Sequence, residues 1–90
     1  MSLAASTSDG LAVQLLSFDG KQCVLVGARA YAPGHPMRLR VERPQGALAL
    51  EVKSIGSRKR DDGTFEIRAR ITTIPAEVRD ALLAHFGGGG

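Results

Sequence analysis

Tryptophan is missing from these 90 residues, cysteine occurs once, and the only aromatic rings are Phe18, Tyr31, Phe65 and Phe86. With Cys23 alone, no intramolecular disulfide can form. A four-ligand zinc site is poorly supplied, because only His35 and His85 could join that thiol, and no metal is expected. Scarce rings mean an aliphatic core and few platforms on which bases could stack. No run approaches the roughly 20 apolar residues of a membrane helix. The N-terminus lacks the positively charged start and long apolar run of a signal peptide, so the cytoplasm is the expected location. A chain this short is one domain that buries only about 60–65% of the surface its unfolded form exposes. That leaves little room for a deep cleft and a separate catalytic subdomain. Neither histidine has a suitably placed Ser or Cys partner, and Cys23 lies inside an aliphatic run, so no enzyme is expected.

Charge of one sign is also in short supply. Twelve Lys and Arg stand against nine Asp and Glu, a net charge of +3. Such an excess suits an anionic ligand and equally suits an ordinary solvated surface. The apolar fraction of 43% is that of a folded protein.

Residues 1–10 begin with an Ala- and Ser-rich stretch of no clear period, read as a disordered leader. The glycine run 87–90 reads as a tail with nothing to pack. Leader and tail together are what a domain cut from a longer chain would carry. The domain proper is placed at 11–86.

Five strand-like segments are marked out by turn chemistry. Leu11–Ser17 ends at Phe18-Asp19-Gly20-Lys21, and Asp-Gly is a strong hairpin signal, so Gln22–Ala28 should return antiparallel. Cys23-Val24-Leu25-Val26 has no polar face and reads as a central strand covered on both sides. Pro33, Gly34 and Pro36 exclude regular pairing from the loop that follows. In the next segment Met37, Leu39 and Val41 alternate with Arg38, Arg40 and Glu42. After the turn at Pro44-Gln45-Gly46, Leu48, Leu50 and Val52 alternate with Ala49, Glu51 and Lys53. The pattern lapses at Gly56 and enters a polar crest, Arg58 to Gly63. Phe65, Ile67, Ala69 and Ile71 then face inward against Glu66, Arg68, Arg70 and Thr72. Val24, Val26, Leu39, Leu50, Phe65 and Ile67 are expected to be buried together.

From Pro75 to Phe86 the period changes, with Val78, Leu82, Leu83 and Phe86 at helical spacing. Pro75 suits a first helical position and Gly87 a stop. The whole predicts a mainly β fold, a small antiparallel β-barrel with one C-terminal α-helix.

The layout of Ser17-Phe18-Asp19-Gly20, Cys23 to Val26, Ala32-Pro33-Gly34-His35-Pro36, Met37 to Val41, Leu48 to Ile55, Phe65 to Ile71 and Pro75 to Phe86 resembles the PilZ domain. This is a bacterial small barrel that in many members binds cyclic di-GMP. The family's ligand signature is an Arg-x-x-x-Arg pair upstream of an Asp/Asn-x-Ser-x-x-Gly turn. The two guanidiniums fork onto phosphates and stack on guanine. Ser17 and Gly20 match the turn, but Leu15 occupies its leading acidic or amide position. No two arginines stand four apart, and none precedes Arg29. The resemblance therefore implies a degenerate PilZ-like module in bacterial cyclic di-GMP, motility or surface-behaviour pathways, acting by contact with another protein. Its expected contact surface is Leu15 or Leu16 together with Phe18, on the assumption that strict alternation turns one leucine outward. The first alternative is a genuine cyclic di-GMP receptor in which Ser17 and Gly20 work with Arg29, Arg38 and Arg40. The second is a small barrel binding nucleic acid through Arg38, Arg40, Arg68 and Arg70, against which the few aromatics count.

Overall fold

Six antiparallel strands close a barrel in the order β1-β2-β3-β6-β5-β4, in a computed structural model that describes residues 2–86. The strands are β1 (Leu3–Thr7), β2 (Ala12–Phe18), β3 (Gln22–Gly27), β4 (Pro36–Val41), β5 (Leu48–Lys59) and β6 (Phe65–Thr73), followed by α1 (Ala76–His85). A closed ring leaves no unpaired edge to template aggregation.

The leader is a strand. Leu3–Thr7 lies between β2 and β4, pairing Ala5 with both Val13 and Val41, and without it the barrel would stay open. The expectation of disorder over 1–10 fails because the inward set, Leu3, Ala5 and Thr7, is too small and too weakly apolar to register as a hydrophobic period. Ser8-Asp9-Gly10, taken as the end of a leader, is a hairpin turn, with the Gly10 N–H donating to the Thr7 carbonyl at 2.9 Å. The expected glycine tail, 87–90, lies outside the described residues.

The inward faces of the other strands follow the alternation. Val13, Leu15, Leu25, Leu39, Val41, Leu50, Val52, Ile67 and Ala69 are all buried. Each large aliphatic side chain in this set contributes about 1.5–3 kcal/mol by leaving water. In β3 it is Cys23 and Leu25 that enter the core. Val24 and Val26 are half-buried on the outer surface, so this strand is not covered on both sides as expected. Gly27 faces Val13 so closely that a Cβ there would stand 2.8 Å from Val13 Cγ1, which is why a residue without one ends the strand.

Both ends are stoppered. At one, α1 lays Val78 and Leu82 into the core, with Leu83 and Phe86 packed beside them. Pro75 is the N-cap rather than the first helical residue. At the other, the crossover from β3 to β4 inserts Tyr31, which is buried. The Tyr31 N–H donates to Ser57 Oγ, and Ser57 Oγ donates to the Tyr31 carbonyl, both at 2.9 Å. Gly34 N–H and Ser54 N–H continue the attachment through the Ser54 and His35 carbonyls.

Three strands contain an extra residue, Leu16 in β2, Ile55 in β5 and Thr72 in β6. The β2–β3 register shifts between Leu15 and Ser17, and the β5–β6 register shifts between Ser54 and Gly56. A second shift in β5–β6 falls between Glu51 and Val52.

Candidate functional site

The β2–β3 turn holds the half-matched ligand motif, so it is built first. Ser17 stands opposite Val24 and is exposed on the outer surface. Asp19 closes the turn: its Oδ1 accepts from the Gln22 N–H at 2.7 Å and the Lys21 N–H at 2.8 Å. These backbone donors, Gln22 first, hold the Asp19 carboxyl below the usual carboxylate range. Gly20 adopts φ +93°, a conformation that favours glycine over any residue with a Cβ. The helix arrives here too, with Leu83 Cδ2 4.0 Å from where a Gly20 Cβ would sit. The Asp19 carboxylate is thus placed by the hairpin's own amides, while the Lys21 carbonyl accepts from the Ile71 N–H of β6 at 2.8 Å.

The apolar contact surface expected beside this turn is not there. Leu15 is 0% exposed and Phe18 5%, both members of the core, and only Leu16 is half-exposed. The bulge is the cause. Inserting Leu16 as an extra residue shifts the period by one, so that Leu15 and Phe18 both point inward although they are three apart.

The three arginines assigned to a ligand are dispersed. Arg29 lies beyond Gly27, so at about 3.3 Å per residue it is more than ~10 Å along β3 from the Ser17–Val24 pair. There it bridges Asp9 at 3.3 Å and lies 5.8 Å from the Tyr31 ring centroid. Thr7 donates to the Asp9 carboxylate, and that hydrogen bond, aided by Arg29, lowers the Asp9 pKa. Arg38 and Arg40 project from β4, which is separated from β2 by β1. Arg40 pairs with Ser6, level with Ala12, at the far end of β2 from Ser17. The pair flanks an open groove of about 440 Å³ edged by Ser6, Ser8, Ala47 and Ala49. Each arginine is occupied, Arg38 with Glu51 at 3.8 Å and Arg40 with Glu42 at 3.3 Å.

What the register does bring to the turn is the basic side of β6. Reading across the outer surface, Ser17 is followed by Val24, Arg68 and Gly56; the next row runs Gln22, Arg70, Lys53 and Pro36. Arg68, Arg70 and Lys53 thus gather on one face, with Arg68 in the same row as Ser17 and two strands, about 10 Å, away. Strand order decided this, and no spacing in the sequence reveals that β3 lies between β2 and β6.

Cys23 and the histidines contribute structure. Burial, with the Asp19 charge adding, pushes the Cys23 thiol up to about 12, far from a nucleophilic thiolate. His35 packs against Tyr31 with ring centroids 5.1 Å apart, and His85 meets the edge of Phe86 at 4.8 Å. Among the described residues, no three His, Cys, Asp or Glu side chains come together as a metal site would need. No described helix is long and apolar enough to cross a membrane.

No family model and no curated protein matches the sequence. Among solved structures the chain is similar to the Bacillus subtilis inhibitor of motility, MotI/DgrA, with a TM-score of 0.79. The fold is PilZ-like. Identity is 13%, and the likeness covers 96% of this chain but 45% of that one, so the chain spans less than half the length of MotI/DgrA. At that identity the shared feature is the architecture, a small closed barrel with a C-terminal helix.

Proposed function

We propose that this chain is a PilZ-like regulatory module of bacterial cyclic di-GMP signalling, in motility or surface behaviour. It works in the cytoplasm by contacting another protein, with no catalytic step and no tight hold on the nucleotide. The observation that carries the reading is the dispersal of the ligand residues. Ser17 and Gly20 sit at one end of the barrel, Arg29 lies towards the other, and Arg38 and Arg40 stand on a strand that does not touch β2. A cyclic dinucleotide presents two phosphates close together and needs converging guanidiniums, which these positions do not supply. The fold's likeness to a protein named as an inhibitor of motility supports the signalling context.

Calorimetric titration with cyclic di-GMP at physiological salt tests this directly. The expected result is no measurable heat, or a Kd weaker than about 1 μM, equivalent to less than ~8 kcal/mol of binding. Sub-micromolar binding would overturn the reading. It would then be traced to Arg68 and Arg70, which stand nearer Ser17 than the three arginines first assigned, and loss of affinity in Arg68→Ala would locate it there.

A further inference from the structure

Resting on the protein-contact reading, we infer that the outer face of β5 and β6, centred on Lys53, Arg68 and Arg70 around the Ile55–Gly56 bulge, docks an acidic protein segment that carries one apolar side chain. The charge of the whole molecule is concentrated there. The outer faces of β5 and β6 together with Arg38 hold five cations against two carboxylates, an excess equal to the chain's net +3. Both carboxylates are paired, Glu51 with Arg38 at 3.8 Å and Glu66, beside the bulge, with Arg58 at 3.6 Å. Among the described residues, Lys53, Arg68 and Arg70 join no ion pair. Lys53 and Arg70 are moreover direct cross-strand partners, an arrangement of like charges that costs stability. Folding has no use for it, whereas an acidic partner relieves it.

The apolar component lies within the same face. Ile55 follows Glu51 and Lys53 on the outward side of β5 and is 40% exposed, the exposed large hydrophobic residue among the described residues, and the bulge turns Gly56 outward beside it. Beside it Gly56 has no side chain, and nothing lies within 4 Å of the place a Cβ would take. The result is an open depression of about 250 Å³ lined by Ile55, Gly56, Ser57, Arg58, Glu66 and Arg68. An apolar centre at Ile55 and Gly56, with Arg68 and the paired Arg58 and Glu66 around it, is the anatomy of a protein interface, where charged rims steer approach and an apolar anchor fills the centre. No aromatic side chain lies on the outer faces of β5 and β6, so base stacking has no platform and a nucleic acid is the poorer fit.

The probe is a labelled acidic peptide of aspartates and glutamates with one central leucine, followed by fluorescence anisotropy and by amide chemical shifts of the whole chain. Saturable binding is expected, with shifts clustered at Lys53, Ile55, Gly56, Arg68 and Arg70. Arg68→Glu with Arg70→Glu should weaken it by more than about tenfold. Gly56→Val adds bulk to the depression from a Cβ with no atom within 4 Å, and should weaken binding several-fold while the circular dichroism spectrum stays unchanged. Replacing the peptide's leucine by glycine should reproduce that loss with the unaltered protein. Failure of the peptide to bind would overturn the proposal. Shifts confined to another face would also overturn it, yet leave the protein-contact reading standing. A single-stranded oligonucleotide of equal charge that binds this face more tightly than the peptide would sink both.

Discussion

The bulges at Leu16 in β2 and at Ile55 in β5 are the same device with opposite results. Each inserts one residue and shifts the inward period by one. In β2 the residue that regains the interior is Phe18, so a ring that strict alternation would leave outside joins the core beside Cys23, its cross-strand partner. In β5 the residue that regains the interior is Ser57, whose hydroxyl grips the Tyr31 backbone, and Ile55 remains outside beside a glycine. One bulge takes an apolar side chain off the surface, and the other turns a glycine outward beside an isoleucine already there. The comparison teaches that where the strands of a small barrel slip decides what shares its surface, since alternation alone would leave Phe18 outside and Gly56 inside.

The largest way to break the comparison is to remove what the first bulge turned inward. Phe18→Ser deletes a buried ring and should lower the unfolding free energy by about 3–5 kcal/mol, measured by denaturant titration. A domain of this size has only about 5–13 kcal/mol in total, so partial unfolding at body temperature is expected. A loss below ~1 kcal/mol would mean that Phe18 is on the surface and β2 carries no bulge.

Cys23 sharpens the same point through pH. Its thiol is raised from an ordinary value of 9.0 to about 12 in the folded state, chiefly by burial. The unfolded chain therefore releases this proton at lower pH than the folded one, so unfolding binds fewer protons and stability falls as pH rises from about 9 towards 12. Cys23→Ala should flatten that stretch of the stability–pH profile, at some cost in packing. The folded protein should also react slowly with a thiol reagent at pH 8, and Phe18→Ser should speed that reaction by opening the thiol's cover.

Much of the barrel was legible because its strands carry large aliphatic side chains at period two. Leu39, Leu50 and Ile67, expected in the core, are all buried, Phe65 of the same expected set is only half-buried at the start of β6, and the helix lies within a residue of its expected bounds. β1 was illegible because alanine, serine and threonine pack well in a tapering barrel yet leave no hydrophobic signal. The bulges were illegible for a different reason. A slip of one residue depends on which neighbour the strand pairs with, and Ile-Gly or Leu-Ser announces nothing by itself. The candidate site suffered most, since Arg68 nears Ser17 only through the strand order β2-β3-β6, a property of the closed ring.

A smaller effect probes the polar residue that the second bulge turned inward. Ser57 both accepts from the Tyr31 N–H and donates to the Tyr31 carbonyl at 2.9 Å, while Ser54 Oγ donates to the same carbonyl at 3.3 Å. Ser57→Ala leaves a partly buried N–H without a partner and should cost about 1–2 kcal/mol. Hydrogen exchange should quicken at Tyr31 while the β1–β2 hairpin stays protected. Equal loosening at both places would mean that the crossover is held by general packing and that the serine is incidental.

The smallest expected effect on stability belongs to Ile55, and it separates the two bulges most cleanly. A side chain already 40% exposed gains little from folding, so Ile55→Ser should change the unfolding free energy by no more than about 0.5 kcal/mol. Most of that change would come from the lower strand propensity of serine. Ile55→Ser and Phe18→Ser thus remove an apolar side chain beside one bulge each, and their costs should differ several-fold. Denaturation midpoints of the two variants, compared at equal m-value, give the ratio. A loss near that of Phe18→Ser would show Ile55 to be part of the core and would leave the β5–β6 face without its apolar centre.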